Sequence, residues 1–474
     1  MLERFERFSV AVPSDVHRSM LTHLVRSDGQ EDLCFAIWYP SEGRHRLTAL
    51  IAELILPESH ERIVRGNVSF TADYFARSVW YAASKKAGLC LVHSHPCPGW
   101  QDLSADDFRA EAGHSGAAAG ATGYPLLGMT AGNDESLSGR FWCRVGPREF
   151  EPTWCESVRL VGKRLHLTYH PGHQAVRDSR ERLDRTIGVW GEAGQSAISA
   201  LRIGIIGLGS VGSIVCEALA RMGIRHLSLI DHDKIELVNL DRILNATVQD
   251  VGKPKVQVAG ERFLFNATAT NPQVLTFELS LVESDAYRAA LDCDVIFSCV
   301  DRPWPRRILN HIAYAHLIPV VDGGIAVRHR SSTLVGADWQ AHTVGPGRAC
   351  LECLGAFDPS LVGVERDGWL EDPSYIRQLD AEDVLLRREN VFPFSLNVAS
   401  LEILQMTALL LGPIHNIGNQ NYHYVTGTLD RIDDTGCRAG CMYPVVVGTG
   451  DQQHSVLASG NDDHNRELRR RPAR

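Results

Sequence analysis

The 474-residue sequence predicts an α/β protein of two domains, the larger a doubly wound, mostly parallel sheet. Three observations lead there. An apolar run from Leu201 ends in Gly207-x-Gly209-x-x-Gly212, then gives way to a helical pattern (Val215, Ala218, Leu219, Met222) and a second apolar run stopping at Asp231. Strand-like and helix-like segments keep alternating after it, and repeated βαβ units build a parallel sheet with ligands at the strand C-terminal ends. The length exceeds what one core accommodates, and residues 1–160 read as an α/β unit of their own.

The composition is ordinary and globular. A net charge of -9 argues against nonspecific nucleic-acid binding, and leaves room for a small protein partner with a basic surface. No run approaches the roughly twenty apolar residues a membrane span needs, so no membrane association is expected. Met1-Leu-Glu-Arg-Phe-Glu-Arg7 carries mixed charge and no apolar core of a secretory signal. Of twelve cysteines, Cys34, Cys90, Cys143, Cys216, Cys293 and Cys299 fall inside apolar segments, where a small buried thiol is the ordinary reading. A reducing cytoplasm without disulfides is the expectation.

In chain order, strands are expected over Leu33–Tyr39 and Leu47–Leu56 and a helix over Thr71–Lys86. The apolar run Leu89–Val92 then delivers the chain to His93-Ser-His95-Pro96. After a turn-rich loop, Ser104 has the character of a helix N-cap, with Asp107 in the first turn. Apolar runs at Pro125–Met129 and Phe141–Val145 complete the unit. Histidines at i and i+2 of a strand end point to one side, and a carboxylate opening the next helix can close a three-ligand zinc site. Zinc in such a site brings the pKa of a bound water to about 7.

His93-x-His95-Pro96 followed by Ser104-x-x-Asp107 resembles the JAMM motif of the Mov34/MPN (JAB) metallopeptidases. The resemblance implies His93, His95 and Asp107 as ligands of a catalytic zinc, Ser104 as the oxyanion-side hydroxyl, and Glu31 as acid/base. Glu53, also in a strand, is the other candidate for that base. The loop between His95 and Ser104 is one residue longer than the family's usual spacing. A scaffold of this family that binds no metal is the competing reading.

Residues 161–176 read as a linker, with Tyr169-His-Pro-Gly-His173 as turn chemistry, and a helix is expected from Arg177 to Leu183. The second domain spans 177–449. A glycine turn at a helix N-terminus lets backbone N-H groups approach phosphate oxygens, and a carboxylate at the next strand tip suits a ribose. The glycines alone fit a dinucleotide. The residues that follow add charge for a triphosphate: Asn239 and Arg242, then Lys253-Pro-Lys255, then Asp301 after the apolar Asp294–Val300, with Arg306 five residues on.

At these positions the sequence resembles the ThiF/MoeB family, relatives of the ubiquitin-activating enzymes, from about Arg182 to Tyr443. Asp184-Arg185 and Gly194-Gln195 are similar to that family's lead-in. The resemblance implies a Rossmann-like fold binding ATP with Mg²⁺: Gly207, Gly209 and Gly212 at the phosphate turn, Asp231 on the ribose, Asn239, Arg242 and Lys255 on the phosphates, Asp301 on Mg²⁺. Arg185 would reach across a homodimer to the partner's ATP. The implied reaction is attack of a ubiquitin-like protein's C-terminal carboxylate on the α-phosphate.

Cys350-x-x-Cys353 and Cys437-x-x-x-Cys441 form two close pairs suited to structural zinc. A vacant remnant and a redox pair are the alternatives. No cysteine lies between them, although activating enzymes that form a thioester usually carry their nucleophile there, on the crossover segment represented by Leu354–Pro393. Direct transfer of the adenylate to an outside acceptor, such as a conjugating-enzyme cysteine or a sulfur donor, is therefore expected, unless one of the four zinc-type cysteines is the nucleophile. Phe392–Leu411 reads as a core or dimer-interface helix and 450–474 as a disordered tail.

Together these readings give a fusion of a JAMM peptidase with a ThiF-type adenylating domain, both acting on one protein tail. Activation of a sulfur-carrier protein for a cofactor pathway, an NAD-dependent oxidoreductase with an inactive first domain, and a noncatalytic adaptor are the competing readings.

Overall fold

The computed structural model describes residues 4–65, 67–173, 180–330, 333–371, 377, 390–411 and 417–452. It divides into two compact units: Met1–Gln174 with Ala315–Leu317 and Val446–Gln453, and Ala175–Tyr314 with Ile318–Val445 and His454–Arg474.

The first unit runs β1 (Arg7–Pro13), α1 (Ser14–Leu24), β2 (Leu33–Glu42), β3 (Arg46–Ile55), β4 (Arg62–Arg65), β5 (Asn67–Phe70), α2 (Ala72–Ser84), β6 (Gly88–Ser94), α3 (Ala105–Thr122), β7 (Leu127–Ala131), β8 (Leu137–Arg144), β9 (Phe150–Trp154), β10 (Ser157–Val161) and β11 (Leu165–Tyr169). Nine of these strands form one sheet in the order β11-β10-β1-β3-β2-β6-β7-β8-β9. Strand periodicity explains its two cores. Cys34, Ala36 and Trp38 of β2 face Met20 and Leu24 of α1, while Leu33, Phe35 and Ile37 face Tyr74 of α2 and Ala118 of α3. A strand covered on both faces reads as a continuous apolar run, which is how β2 looks in sequence. The segment expected to be a linker, 161–176, is corrected: β10 ends at Val161, and β11 pairs antiparallel with it through Leu165–Tyr169. Five-residue strands with mixed polarity, such as Leu165-His-Leu-Thr-Tyr169, give no run long enough to read from sequence.

The second unit runs α4 (Arg180–Ser199), β12 (Arg202–Ile206), α5 (Ser210–Arg221), β13 (His226–Ile230), α6 (Lys255–Asn266), β14 (Gln273–Phe277), α7 (Ser284–Leu291), β15 (Val295–Ser298), α8 (Pro303–Ala315, ending in the first unit's set), β16 (Val320–Arg330), β17 (Thr333–Val344), α9 (Pro359–Arg366), α10 (Phe392–Leu410), β18 (Asn419–His423) and β19 (Thr428–Ile432). Its sheet order is β14-β13-β12-β15-β16-β17-β18-β19. The chain leaves β12 toward β13 and β14, then returns to β15 on the other side of β12. The order therefore reverses between β12 and β15, the place where open α/β sheets bind ligands. The expectation of a mostly parallel sheet holds for β14 to β16, while β17, β18 and β19 extend the sheet antiparallel. Hairpin strands leave no crossover helix in the sequence to announce them.

The helix expected at 177–183 is α4, which starts at Arg180, runs to Ser199 and breaks its helical backbone at Gly191 (φ 75°); residues 177–179 lie outside the described residues. So do most of the crossover segment, 372–376 and 378–389, and the tail from 453. One helix among the described residues, α10, is long and apolar enough to cross a membrane by length and composition, contrary to the sequence expectation. It packs on β16, β17 and α5. The buried Gln405 donates to Ala341 O at 3.2 Å and Gly418 O at 2.8 Å, which fits a core helix.

Candidate active sites

In the first unit β6 ends where the sheet gives way to α3. His93 is the last residue but one of the strand, His95 follows its end, and Ser104 caps α3. The Ser104 hydroxyl accepts from Asp107 N (3.1 Å) while Asp107 Oδ2 accepts from Ser104 N (3.0 Å), a reciprocal capping box. That box presents Asp107 to both histidines. His93 Nε2 and His95 Nε2 are 3.2 Å apart, and each lies 3.4 Å from one Asp107 oxygen. Ligands at about 2.0–2.1 Å from a tetrahedral zinc stand roughly 3.4 Å apart, and one ligand atom from each of the three residues lies within 4.8 Å of the others, so the set can converge on one ion. Hydrogen bonding to Asp107 raises the His95 pKa against the effect of burial. Burial would raise the Asp107 carboxyl, but the two imidazoles outweigh it and hold the group far below the carboxylate range.

Glu31 stands two residues before β2 begins, not in the strand itself. The β2–β6 register pairs Leu33 with His93, and Ser94 N donates to Asp32 O (3.0 Å), so continuing the register sets Glu31 opposite His95. Arg26 and Arg62 bind the buried Asp32 carboxylate beside it and fix this lead-in. Glu53 is held elsewhere, accepting from the Tyr81 hydroxyl at 2.9 Å. The extra loop residue after His95 is gathered by the buried Gln101. Its Nε2 donates to Cys97 O (3.1 Å), Pro98 O (2.9 Å) and Gly99 O (2.9 Å). Gln101 and Asp32 were not singled out in the sequence; neither belongs to a recognisable spacing.

In the second unit β12 is followed by Gly207, whose φ of +89° only glycine adopts readily; an added Cβ would lie 2.5 Å from Cys299 O after β15. At Gly212 an added Cβ would meet Gly207 O at 2.0 Å, whereas at Gly209 it would stand in open space. The turn is thus tight on its protein side and open at Gly209, a cradle a ligand can enter. Asp231 follows β13 and accepts from Leu208 N (2.6 Å) and Asp233 N (2.8 Å), locking strand tip to glycine turn. Burial pushes its carboxyl up, against the pull of Lys255.

Lys255 opens α6 and donates to Asp233 Oδ2 at 2.8 Å. Burial would lower this lysine, but Asp231, Asp233 and Asp301 outweigh it and raise its pKa, so it stays charged. Asp233 is the member of this cluster that sequence reading did not single out, although Asp231-x-Asp233 was there to be seen. Asn239 Oδ1 accepts from Glu236 N (3.0 Å), and Arg242 donates from one nitrogen to Val238 O (2.6 Å) and Asp241 (2.7 Å), both shaping the loop between β13 and α6. Arg242 leads directly into Ile243 and Leu244, which line a cavity with Leu208, Ser213 and Lys255. Arg185 is exposed on α4 and makes no hydrogen bond or ion pair among the described residues. Arg306, counted with the triphosphate charges, is corrected: it is buried and donates to the carbonyls of Val300, Gly323 and Ala356, holding the backbone after β15.

Cys350, Cys353, Cys437 and Cys441 come together with sulfur atoms all within 4.8 Å of one another. The 3.7 Å between Cys350 and Cys441 suits a tetrahedral zinc, whose sulfur ligands at about 2.3 Å lie roughly 3.8 Å apart. Hydrogen bonding from Cys350 pulls the Cys437 thiol down to about 5, toward the thiolate that metals bind.

Residues 183–434 match the model of the ThiF family. Molybdopterin-synthase adenylyltransferase of Escherichia coli (strain K12) is 32% identical over 163 residues, covering 34% of this chain and 61% of the relative. The SAMP-activating enzyme E1 of Haloferax volcanii is 28% identical over 166 residues, covering 35% of this chain and 57% of that protein. The NEDD8-activating enzyme E1 catalytic subunit of Arabidopsis thaliana is 29% identical over 167 residues, covering 32% and 34%. The chain thus spans about three fifths or less of these relatives. The solved structure of E. coli MccB with ATP superposes with a TM-score of 0.43 at 18% identity, covering 56% of this chain and 74% of that one.

Proposed function

The chain belongs to the ThiF family, and from that premise we propose that its second unit adenylates the C-terminal carboxylate of a ubiquitin-like or sulfur-carrier protein. The observation that carries the reading is the charged Lys255, held among Asp231, Asp233 and Asp301 where the strand order reverses. Two anions must meet for this reaction, a carboxylate and a triphosphate, and only cationic groups there lower the barrier. Gly207, Gly209 and Gly212 would admit the phosphates, Asp231 the ribose, and Asn239, Arg242 and Lys255 the phosphate oxygens, with Mg²⁺ on Asp301. The carboxylate oxygen forms a bond to the α-phosphorus as the bond to the bridging oxygen breaks and pyrophosphate leaves. Arg185, exposed on α4, is available to a second copy's nucleotide in a homodimer. A strand-end Asp301 suits Mg²⁺ and Arg242 a triphosphate, which favours this reading over an oxidoreductase.

The first unit supports a second activity, hydrolysis of peptide or isopeptide bonds after the same C-terminus, by precursor trimming or deconjugation. Its support is the fit of His93, His95 and Asp107 to one tetrahedral ion together with Glu31 opposite His95. Zinc held by His93, His95 and Asp107 would supply an activated water and polarise the scissile carbonyl. Glu31 would be the group that accepts a proton and returns it to the leaving amine. Ser104 is exposed at the N-cap of α3, its hydroxyl proton free to donate to the developing oxyanion. Cys350, Cys353, Cys437 and Cys441 are read as a structural zinc site.

ATP–pyrophosphate exchange that depends on an added ubiquitin-like protein tests the first activity; no exchange with any candidate modifier rejects it. Mass spectrometry of the chain with ATP and that partner should show no thiol-sensitive adduct, because the acceptor is a separate protein such as a conjugating enzyme. An adduct on Cys437 or Cys441 would reverse that assignment.

A further inference from the structure

A fully buried ion pair lies behind the histidine–aspartate site, and none of the chemistry above uses it. Arg140 of β8 donates from Nε to Glu111 Oε2 at 2.8 Å and from a second nitrogen to Glu111 Oε1, a bidentate fork; both residues have no solvent exposure. The Trp142 indole N–H donates to Glu111 Oε2 at 2.5 Å. Space for the carboxylate comes from Gly128 of β7, where an added Cβ would stand 2.1 Å from Glu111 Oε2. A buried pair of this kind is weak grounds for a stability role, since apolar replacements of equal volume are commonly as stable.

What the guanidinium touches suggests its use. Its third nitrogen donates to Thr130 Oγ1 at 2.9 Å, and that hydroxyl packs 3.5 Å from His93 Nε2, the ligand nitrogen itself, so it bounds the imidazole by contact and not by a hydrogen bond. The register explains the alignment: β6 pairs His93 with Thr130, and β7 pairs Gly128 with Arg140, so all four share one face of the sheet. Above that face lies α3, on which Glu111 is one turn beyond Asp107. One guanidinium therefore references the strand carrying His93 and the helix carrying Asp107 to the same point.

We propose that Arg140 is a positioning residue, acting through Thr130 on His93 and through Glu111 on Asp107 to hold the metal-ligating geometry of the first unit. The proposal rests on reading His93, His95 and Asp107 as a metal site. Outer partners of metal ligands are worth about 10–100-fold in metal affinity.

The test is cobalt(II) titration of the full chain, followed by absorption. The histidine–carboxylate site lacks the thiolate-to-cobalt charge-transfer bands of the four-cysteine site, so the two are read separately. Two variants are compared with the unaltered chain: Glu111→Leu with Arg140→Met, which removes both charges together, and Thr130→Val, which keeps the ion pair and the volume. The expected result is affinity at the histidine–carboxylate site lower by about 10–100-fold in the double variant and by roughly tenfold in Thr130→Val. The four-cysteine site should stay unchanged, while the melting temperature should fall by a few degrees in both variants, because the Trp142 indole or an Arg140 nitrogen loses its acceptor. Unaltered affinity in a folded double variant assigns the pair to packing alone and overturns the proposal; if the double variant does not fold, unaltered affinity in Thr130→Val overturns it. An unaltered chain that takes no cobalt at the histidines instead rejects the metal reading itself.

Discussion

On the proposed reading of the second unit, Lys255 is the residue on which the chemistry turns. Its charge is balanced by Asp231, Asp233 and Asp301, so removing it leaves carboxylates facing one another where a triphosphate must arrive. Lys255→Ala should lower pyrophosphate exchange about 10²–10³-fold, the range for loss of one preorganised donor. Thermal unfolding measured beside exchange separates lost chemistry from a lost fold. His311 on α8 gives a different residue-scale prediction. Burial lowers its pKa to about 4, with the nearby Arg307 adding to the effect. The unfolded chain takes up a proton near the ordinary histidine value, about 6.5, which the folded chain refuses until about 4. Stability is therefore fully present above that unfolded value and falls as pH drops through this window, by on the order of 3 kcal/mol from this group. Denaturant unfolding from pH 7 to 4 should show the slope, and His311→Gln should flatten it.

Among the elements, the β12–α5 turn separates packing from ligand binding within one motif. Gly212 abuts Gly207 O, so Gly212→Ala forces backbone apart and should destabilise by about 1–3 kcal/mol. Gly209 has ordinary backbone (φ -71°) and open space beside it, so Gly209→Ala should melt within a degree or two of the parent, by the small scale of unstrained surface substitutions. Its methyl group occupies the room meant for phosphate, and nucleotide binding by calorimetry should fall sharply. Equal melting and equal binding in the two variants would refute this division. The same contrast shows what a sequence motif conveys. Three glycines at 207, 209 and 212 were legible at once, but which serves the fold and which the ligand depends on the approach of Cys299 from a strand far along the chain.

For the whole molecule, the four-cysteine cluster and the His93–His95–Asp107 cluster sit in separate units and should behave independently. Cys353→Ser should remove one zinc per chain by elemental analysis and destabilise the second unit, since structural zinc contributes on the order of ten kcal/mol to such folds. On the reading proposed for the first unit, metal at His93, His95 and Asp107 should remain. The sequence made the two-unit plan legible because each unit carries its own short-range pattern. It misassigned 161–176 because β11 pairs with β10, which in turn pairs with a strand at the opposite end of that unit, β1.

The sequence by itself determined what is local along the chain. His93-x-His95 and the Ser104-x-x-Asp107 cap are fixed by strand and helix periodicity, and the glycine turn with Asp231 at the next strand tip by one βαβ unit. Cysteine spacing likewise announced two ligand pairs. Only the tertiary structure decided which distant groups meet them. It set Glu31 opposite His95 by strand register, joined Asp233 to Lys255, turned Arg306 toward backbone carbonyls, and stacked Arg140, Glu111 and Thr130 behind His93. These meetings depend on sheet register and close packing, where neighbours are chosen by shape and burial and leave no periodic trace in the order of residues.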